Sequence, residues 1–180
     1  MSEFVAPVST ELLGLVHARL RERGETVAVA ESLTGGLLAA SLTVTAGASG
    51  TFRGGLVVYA TDLKGSQAGV DETLLRTRGA VDPAVAAQLA RGVRRRLGAS
   101  WGIGITGVAG PEPQDGQPVG TVFVGIVGPA GPADPGSGAD PATSADVVES
   151  VTQLSLDGDR NTIRSRSVLE TVDLLLSVLA

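Results

Sequence analysis

Apolar and polar positions along the chain divide it into helical and extended stretches. Over residues 10–23, Leu12, Leu13, Val16 and Leu20 recur at helical spacing and Gly24 comes next as a stop, which predicts a helix. "TVAVA" at 26–30 is a short apolar run of strand type that leads through "ESLTGG" into "LLAASLTV", of helical length and composition. A glycine-rich link, "TAGASGTFRGG", precedes a second predicted strand, "LVVYA" at 56–60, and the polar "TDLKGSQAGV" comes after it. "VDPAVAAQLARGVRRRLG" carries Asp82 as N-cap, Pro83 at the first helical position and Gly98 after the last turn, so a helix is predicted there. "SWGIGIT" at 100–106 and "VGTVFVGIV" at 119–127 read as the third and fourth strands, and "VVESVTQLSL" at 147–156 as an antiparallel partner of the fourth. "DRNTIRSRSVLETVDLLLSVLA" closes the chain as a helix, with Ile163, Val168, Leu169, Val172 and Leu175 or Leu176 as its buried stripe. Helices alternating with strands, then a hairpin and a helix, predict an α/β fold: a three-layer α/β/α domain with a mixed, partly parallel sheet.

Composition refines this picture. At 180 residues the chain fits one domain, 1–180, able to bury a sizeable core. Residues 128–146 use only six residue types and hold four of the nine prolines, so they are expected to form a flexible loop between two strands. A net charge of −5 disfavours direct contact with a nucleic-acid backbone, and "RRR" at 94–96 is expected to be a solvated helix face. No apolar run approaches the ~18 to 20 residues of a membrane span, and the N-terminus carries no secretion pattern, so a cytoplasmic location is expected. There is no cysteine and a single histidine, His17, inside the first helical pattern, where it is expected to be a surface or packing residue. Thiolate chemistry and histidine-rich metal sites are thereby excluded.

The composition also holds one oddity: thirteen arginines but a single lysine, Lys64, in "YATDLKG" with the only tyrosine, Tyr59. A guanidinium stays protonated, whereas a desolvated ammonium gives up its proton, so a lone lysine is a candidate base as well as an ordinary exposed charge. The first strand runs into Glu31, Ser32, Thr34, Gly35 and Gly36, and the third into Thr106, Gly107, Ala109, Gly110 and Pro111. Such glycine turns suit a phosphate or the oxyanion of an acyl-transfer intermediate, and ligands of open α/β sheets collect at the carboxyl ends of strands. A serine after one strand and a lysine after its neighbour can meet there, and a Ser-Lys pair is an alternative to Ser-His. Arg160 and Arg164 could either lower the lysine pKa or bind a phosphate.

"AESLTGG", "YATDLK", "RGAVD", "ITGVAGP", "PVGTV" and "GDRNTIR" together resemble, in order and spacing, the signatures of the CinA C-terminal domain family, over roughly residues 10 to 178. The family includes nicotinamide mononucleotide deamidases, serine amidohydrolases that use a Ser/Lys dyad and need no metal or other cofactor. The resemblance implies Ser32 as nucleophile and Lys64 as base, with Tyr59 and Thr106 assisting. It implies Glu31, Thr34, Gly35, Gly36, Gly107, Gly110, Arg160 and Arg164 as lining for a small-molecule nucleotide substrate. Leu33 departs from the family's usual cysteine, and "GPEPQDGQPVG" is poorer in glycine than the usual loop. A catalytically silent nucleotide-binding module, and an amidase for another small phosphorylated amide, are the alternatives. A homo-oligomer, no direct nucleic-acid contact and no membrane contact are the expected partner relations.

Overall fold

The computed structural model describes residues 7–130 and 147–180. Its centre is a five-stranded sheet built from β1 (Val27–Glu31), β2 (Phe52–Val57), β3 (Trp101–Gly107), β4 (Thr121–Pro129) and β5 (Val147–Ser155), in the spatial order β2-β1-β3-β4-β5. β2, β1 and β3 run parallel, and β4 and β5 join antiparallel, so the predicted mixed three-layer α/β/α arrangement holds. Helices α1 (Thr10–Glu22), α2 (Leu37–Leu42) and α6 (Arg160–Val178) pack together on one face; α3 (Thr61–Ala68), α4 (Glu72–Arg78) and α5 (Pro83–Leu97) cover the other.

The alternation within β3 explains how α5 sits so close. Trp101, Ile103 and Ile105 enter the core with α1 and α6, while Gly102 and Gly104 face α5. A Cβ at Gly102 would lie 2.0 Å from the Ala90 carbonyl oxygen, and one at Gly104 would lie 2.4 Å from that of Ala86. Any side chain there would push the helix off the sheet. Gly92, on another side of α5, lets the end of α3 pack directly on it, with a Cβ position only 1.6 Å from the Ala68 oxygen. Lys64 is thus carried on a short helix pinned to a rigid one.

Several expectations need correction. The link read as "TAGASGTFRGG" ends in β2, because Gly54 and Gly55 pair with Ala28 and Val29, and a Cβ at Gly55 would come within 2.8 Å of the Val29 side chain. Close strand approach outweighs the low strand propensity of glycine there, and it leaves Tyr59 beyond the strand rather than in it. The "TDLKGSQAGV" stretch, read as polar, forms α3, which Gly69 ends in the left-handed conformation at φ 71°; α4 was not anticipated. Arg94 is buried rather than solvated and donates from Nε to the Ser100 carbonyl at 2.9 Å; Arg95 and Arg96 are exposed. Residues 128 and 129 of the predicted loop belong to β4, and its residues 131–146 lie outside the described residues.

At the amino ends of the strands, the Trp101 indole N–H donates 2.6 Å to the buried Glu25 carboxylate, which also accepts from Arg23 Nε at 2.7 Å. The Arg23 guanidinium lies over the indole ring, 5.9 Å from its centroid. His17 ties α1 to two other segments. Its Nε2 lies 2.9 Å from the Leu42 carbonyl, which can only accept, so Nδ1 is the acceptor for the Thr51 hydroxyl at 2.6 Å. Burial, with a smaller push from the Arg21 charge, lowers the His17 pKa against the bond to Leu42 that raises it. The folded state therefore resists a proton that the unfolded chain takes up below the ordinary histidine value of 6.5. Stability is predicted to fall as pH drops through that value, by more than in a His17→Gln variant. Urea midpoints measured between roughly pH 7 and 5 check it, and parallel curves for the two proteins would refute it.

Candidate active site

β1 ends in Glu31, and the Glu31 carboxylate organises the turn from this strand into α2. Its Oε1 accepts from the Ala39 amide at 2.8 Å, and its Oε2 accepts from the Gly36 and Leu38 amides at 3.1 Å each. The carboxylate is fully buried against the start of α2, where unpaired amides and the helix dipole favour a negative charge. The turn expected to cradle a phosphate or oxyanion is therefore filled by the chain's own side chain, and Glu31 is a structural cap behind the site. Between strand and helix, the Ser32 amide donates to Ile105 O of β3 at 3.0 Å, fixing the backbone of the serine at the sheet edge. Ser32 is 8% exposed. Among the described residues its hydroxyl has no hydrogen-bond partner.

The neighbouring strand supplies the lysine. β2 pairs with β1 up to Glu31 opposite Val57, and the Val58 amide donates to Glu31 O at 2.9 Å. The chain then turns into α3, whose Lys64 points back to the strand end. Lys64 is 1% exposed, and its Nζ donates to Val58 O at 2.9 Å and to Tyr59 O at 3.1 Å. Burial lowers its pKa from 10.5 to about 8, against the opposing pull of Asp115 and Asp62. Two carbonyls use two of the amine's tetrahedral positions. One remains: a proton in the charged form, a lone pair in the neutral form.

Ser32 and Lys64 line one open cavity of about 270 Å³, together with Tyr59, Thr106, Gly107, Gly110 and Arg160. Of the twelve residues singled out in the sequence, these seven meet there. At its mouth Arg160 donates to Gly110 O at 2.7 Å and to the Tyr59 hydroxyl at 2.8 Å, bridging the ends of β2 and β3 from the start of α6. Arg164, one turn on, instead grips the turn after β1, donating to Leu33 O at 3.0 Å and Thr34 O at 2.9 Å. Gly35, left-handed at φ 59°, passes so close to that guanidinium that an added Cβ would lie 3.4 Å from Nη2. Gly36 is likewise left-handed and opens α2. Thr34, Gly35, Gly36 and Arg164, like Glu31, build the turn rather than the cavity wall.

The sequence model of the CinA C-terminal domain matches residues 9–136. The chain belongs to the CinA C-terminal domain family. A CinA-like protein of Frankia casuarinae is 48% identical over 169 residues, which cover 94% of this chain and 35% of that protein. One from Synechocystis is 50% identical over 123 residues, 68% of this chain and 30% of that protein. The chain thus spans about a third of the length of these curated relatives. Among solved structures, the competence/damage inducible protein CihA of Agrobacterium tumefaciens superposes with a TM-score of 0.82 at 30% identity, covering 100% of both chains. The competence damage-inducible protein A of Klebsiella pneumoniae superposes at 0.81 with 27% identity, over 94% of this chain and 96% of that one.

One part of this CinA domain's site was not anticipated. Ala80 and Val81, between α4 and α5, form a cavity wall, with Glu112 and Gln114 from the loop after β3 beside it. The wall is held from both sides: the Thr106 hydroxyl donates to Ala80 O at 2.7 Å, and Asp115 Oδ2 accepts from the Ala80 amide at 2.7 Å and the Val81 amide at 3.1 Å. Asp115 and Gly116 form a two-residue turn with positive φ at both, 52° and 75°, closed by Gln114 and Gln117. The dipeptide Asp-Gly is the sequence signal that could have found it, since such pairs favour this mirror-image turn.

The internal cap in this CinA domain yields a direct test. Glu31→Gln keeps the size of the side chain but sets an amide donor against backbone donors, so a loss of about 2 to 3 kcal/mol is expected. Chemical denaturation measures it; a variant as stable as the parent would remove Glu31 from this role.

Proposed function

We propose that this chain is an amidohydrolase that converts the carboxamide of nicotinamide mononucleotide to the carboxylate, giving nicotinate mononucleotide and ammonia. The observation that carries the reading is Lys64: a buried amine with a lowered pKa, anchored on two carbonyls, in the same cavity as a serine hydroxyl with no partner among the described residues. A buried cation is costly without a purpose such as this, because desolvation disfavours it.

In the proposed sequence the neutral Lys64 amine takes the Ser32 proton as Oγ attacks the carboxamide carbon. The oxyanion so formed is received by the Leu33 amide, next to the nucleophile: the Glu31 carboxylate takes the Gly36, Leu38 and Ala39 amides, whereas among the described residues the Leu33 amide has no acceptor. The Lys64 ammonium then returns the proton to the departing nitrogen, the C–N bond breaks and ammonia leaves an acyl ester on Ser32. Water adds to that ester with Lys64 again as base, and the product carboxylate and free Ser32 result. Thr106 has its own proton directed to Ala80 O, so its oxygen is left as an acceptor for the ammonium or the leaving ammonia. Arg160 stands at the mouth, where an exchange of its bonds to Tyr59 and Gly110 for the phosphate of the substrate would seat the nucleotide.

Ammonia release from the mononucleotide is the decisive assay. Activity is expected in the parent protein and a loss of at least about a thousandfold in Ser32→Ala, as for nucleophiles elsewhere. Lys64→Arg keeps the charge yet cannot supply a neutral base, so it is expected to be inactive, whereas a binding module would still hold the nucleotide. No ammonia above the Ser32→Ala background from folded parent protein, across a panel of phosphorylated amides, would end the amidase reading. The pH dependence carries a further sign. Because the base must be neutral and its pKa is about 8, the rate is expected to rise with pH up to that value and level above it. On the acid limb it should change about tenfold per pH unit. A rate already flat from pH 6 upward, a range chosen to start roughly two units below that pKa, would exclude Lys64 as the titrating base.

A further inference from the structure

We propose that Asp115 is a positioning residue for the Ser32/Lys64 site, its carboxylate latching the Ala80–Val81 wall to the turn after β3 while presenting a fixed negative charge to the lysine. The role of the latch in catalysis rests on the amidase reading; the latch itself does not.

Geometry carries it. One carboxylate oxygen takes both wall amides, at 2.7 and 3.1 Å, although Asp115 is an exposed loop residue held at a φ of 52°. Asparagine, aspartate and glycine are the residues that tolerate that conformation. The wall backbone approaches so closely that a Cβ at Gly79 would lie 2.3 Å from the Asp115 Cγ, so only glycine permits the contact. On the other side, Ala80 O orients the Thr106 hydroxyl. A slack wall would release that hydroxyl to rotate, and the Thr106 oxygen would no longer be held as an acceptor in the cavity that Lys64 also lines.

Charge adds a second effect. The groups around the Lys64 amine are Asp62 on its own helix, Asp115 and Glu112 on the turn after β3, Tyr59 after β2 and Arg160 at the start of α6. Asp115 and Asp62 favour the protonated amine, against burial, which dominates. The carboxylate at 115 therefore keeps the lysine basic enough to accept a proton without leaving it a bare amine at every pH. Asp62 contributes charge from an exposed helix position and holds no wall, which separates the two effects.

Three variants of the full chain test the proposal with readouts that need no substrate. Because Lys64 is the sole lysine, protein grown with carbon-13-labelled lysine gives one side-chain Cε resonance, whose titration reports this amine alone. Asp115→Gly keeps the left-handed turn and removes the latch. Amide exchange at Ala80 and Val81 is expected to accelerate roughly ten- to a hundredfold, with α5 and the sheet still protected. Asp115→Asn keeps an acceptor and removes the charge, so the Lys64 titration is expected to move to lower pH with a smaller change in exchange. Asp62→Asn should shift the titration the same way and leave Ala80 and Val81 unchanged. Unaltered exchange at Ala80 and Val81 in folded Asp115→Gly would overturn the latch, and an unaltered Lys64 titration in Asp115→Asn would overturn the charge. If the parent releases ammonia, Asp115→Gly should lower kcat more than it raises KM; a KM effect alone would also count against positioning. Absence of ammonia release by the parent would defeat the amidase reading while leaving the two spectroscopic outcomes decisive for the latch.

Discussion

The Glu31 carboxylate, buried against three amides at the start of α2, is the interaction on which the placement of the site depends. A strand that ends and a helix that begins both leave backbone groups without partners, and a short turn between them has few side chains with which to answer. Here one carboxylate answers on the helix side, and Ile105 of β3 and Val58 just after β2 close the strand side. Ser32 lies between these fixed points. Its backbone has little freedom left, so the hydroxyl is aimed by the sheet and needs no hydrogen bond of its own to be held in place.

The lysine is held by different physics. A long flexible side chain loses rotamer freedom and hydration on burial, and both costs must be offset locally. The offset comes from Val58 O and Tyr59 O, which are free to accept because the chain has just left the sheet. Gly92 and Ala68 then let α3 lie close to α5, so the carrier helix cannot drift from the strand end. Strand terminus, helix approach and amine burial are thus one device. It puts a neutralisable amine on one cavity with a hydroxyl that has no hydrogen-bond partner among the described residues.

Most of the fold was legible because apolar spacing is written into the chain: α1, α5 and α6 and the succession of strands along the sequence come from it. The Pro83 and Gly98 boundaries of α5 were visible as chemistry at fixed positions. Tertiary approach decided the features that escaped. Gly54 and Gly55 look like a linker until Val29 is beside them, and Arg94 looks solvated until the Ser100 carbonyl is found next to it. In the site, residue types showed where a hydroxyl and an amine could meet, but not which polar groups serve the substrate and which serve the backbone. Glu31 and Arg164 have the chemistry of ligand-binding residues, and the folded chain uses them on its own carbonyls and amides. Asp115 is the converse, a turn residue by its dipeptide whose carboxylate reaches across 34 or more residues of sequence to the wall.

Trp101 stands at the opposite end of this arrangement. It is the only tryptophan, 1% exposed, and it begins the strand that ends at Thr106 and Gly107 beside the cavity, about 20 Å away at the rise of a β-strand. Its indole is fixed by Glu25, covered by Arg23 and seated on Gly128, where a Cβ would fall 2.0 Å from the ring. The natural fluorophore of the chain therefore reports on the joint between β1, β3 and β4 and lies beyond contact with whatever enters the site. Its emission is an internal gauge of whether the scaffold is intact, separate from any signal of occupancy.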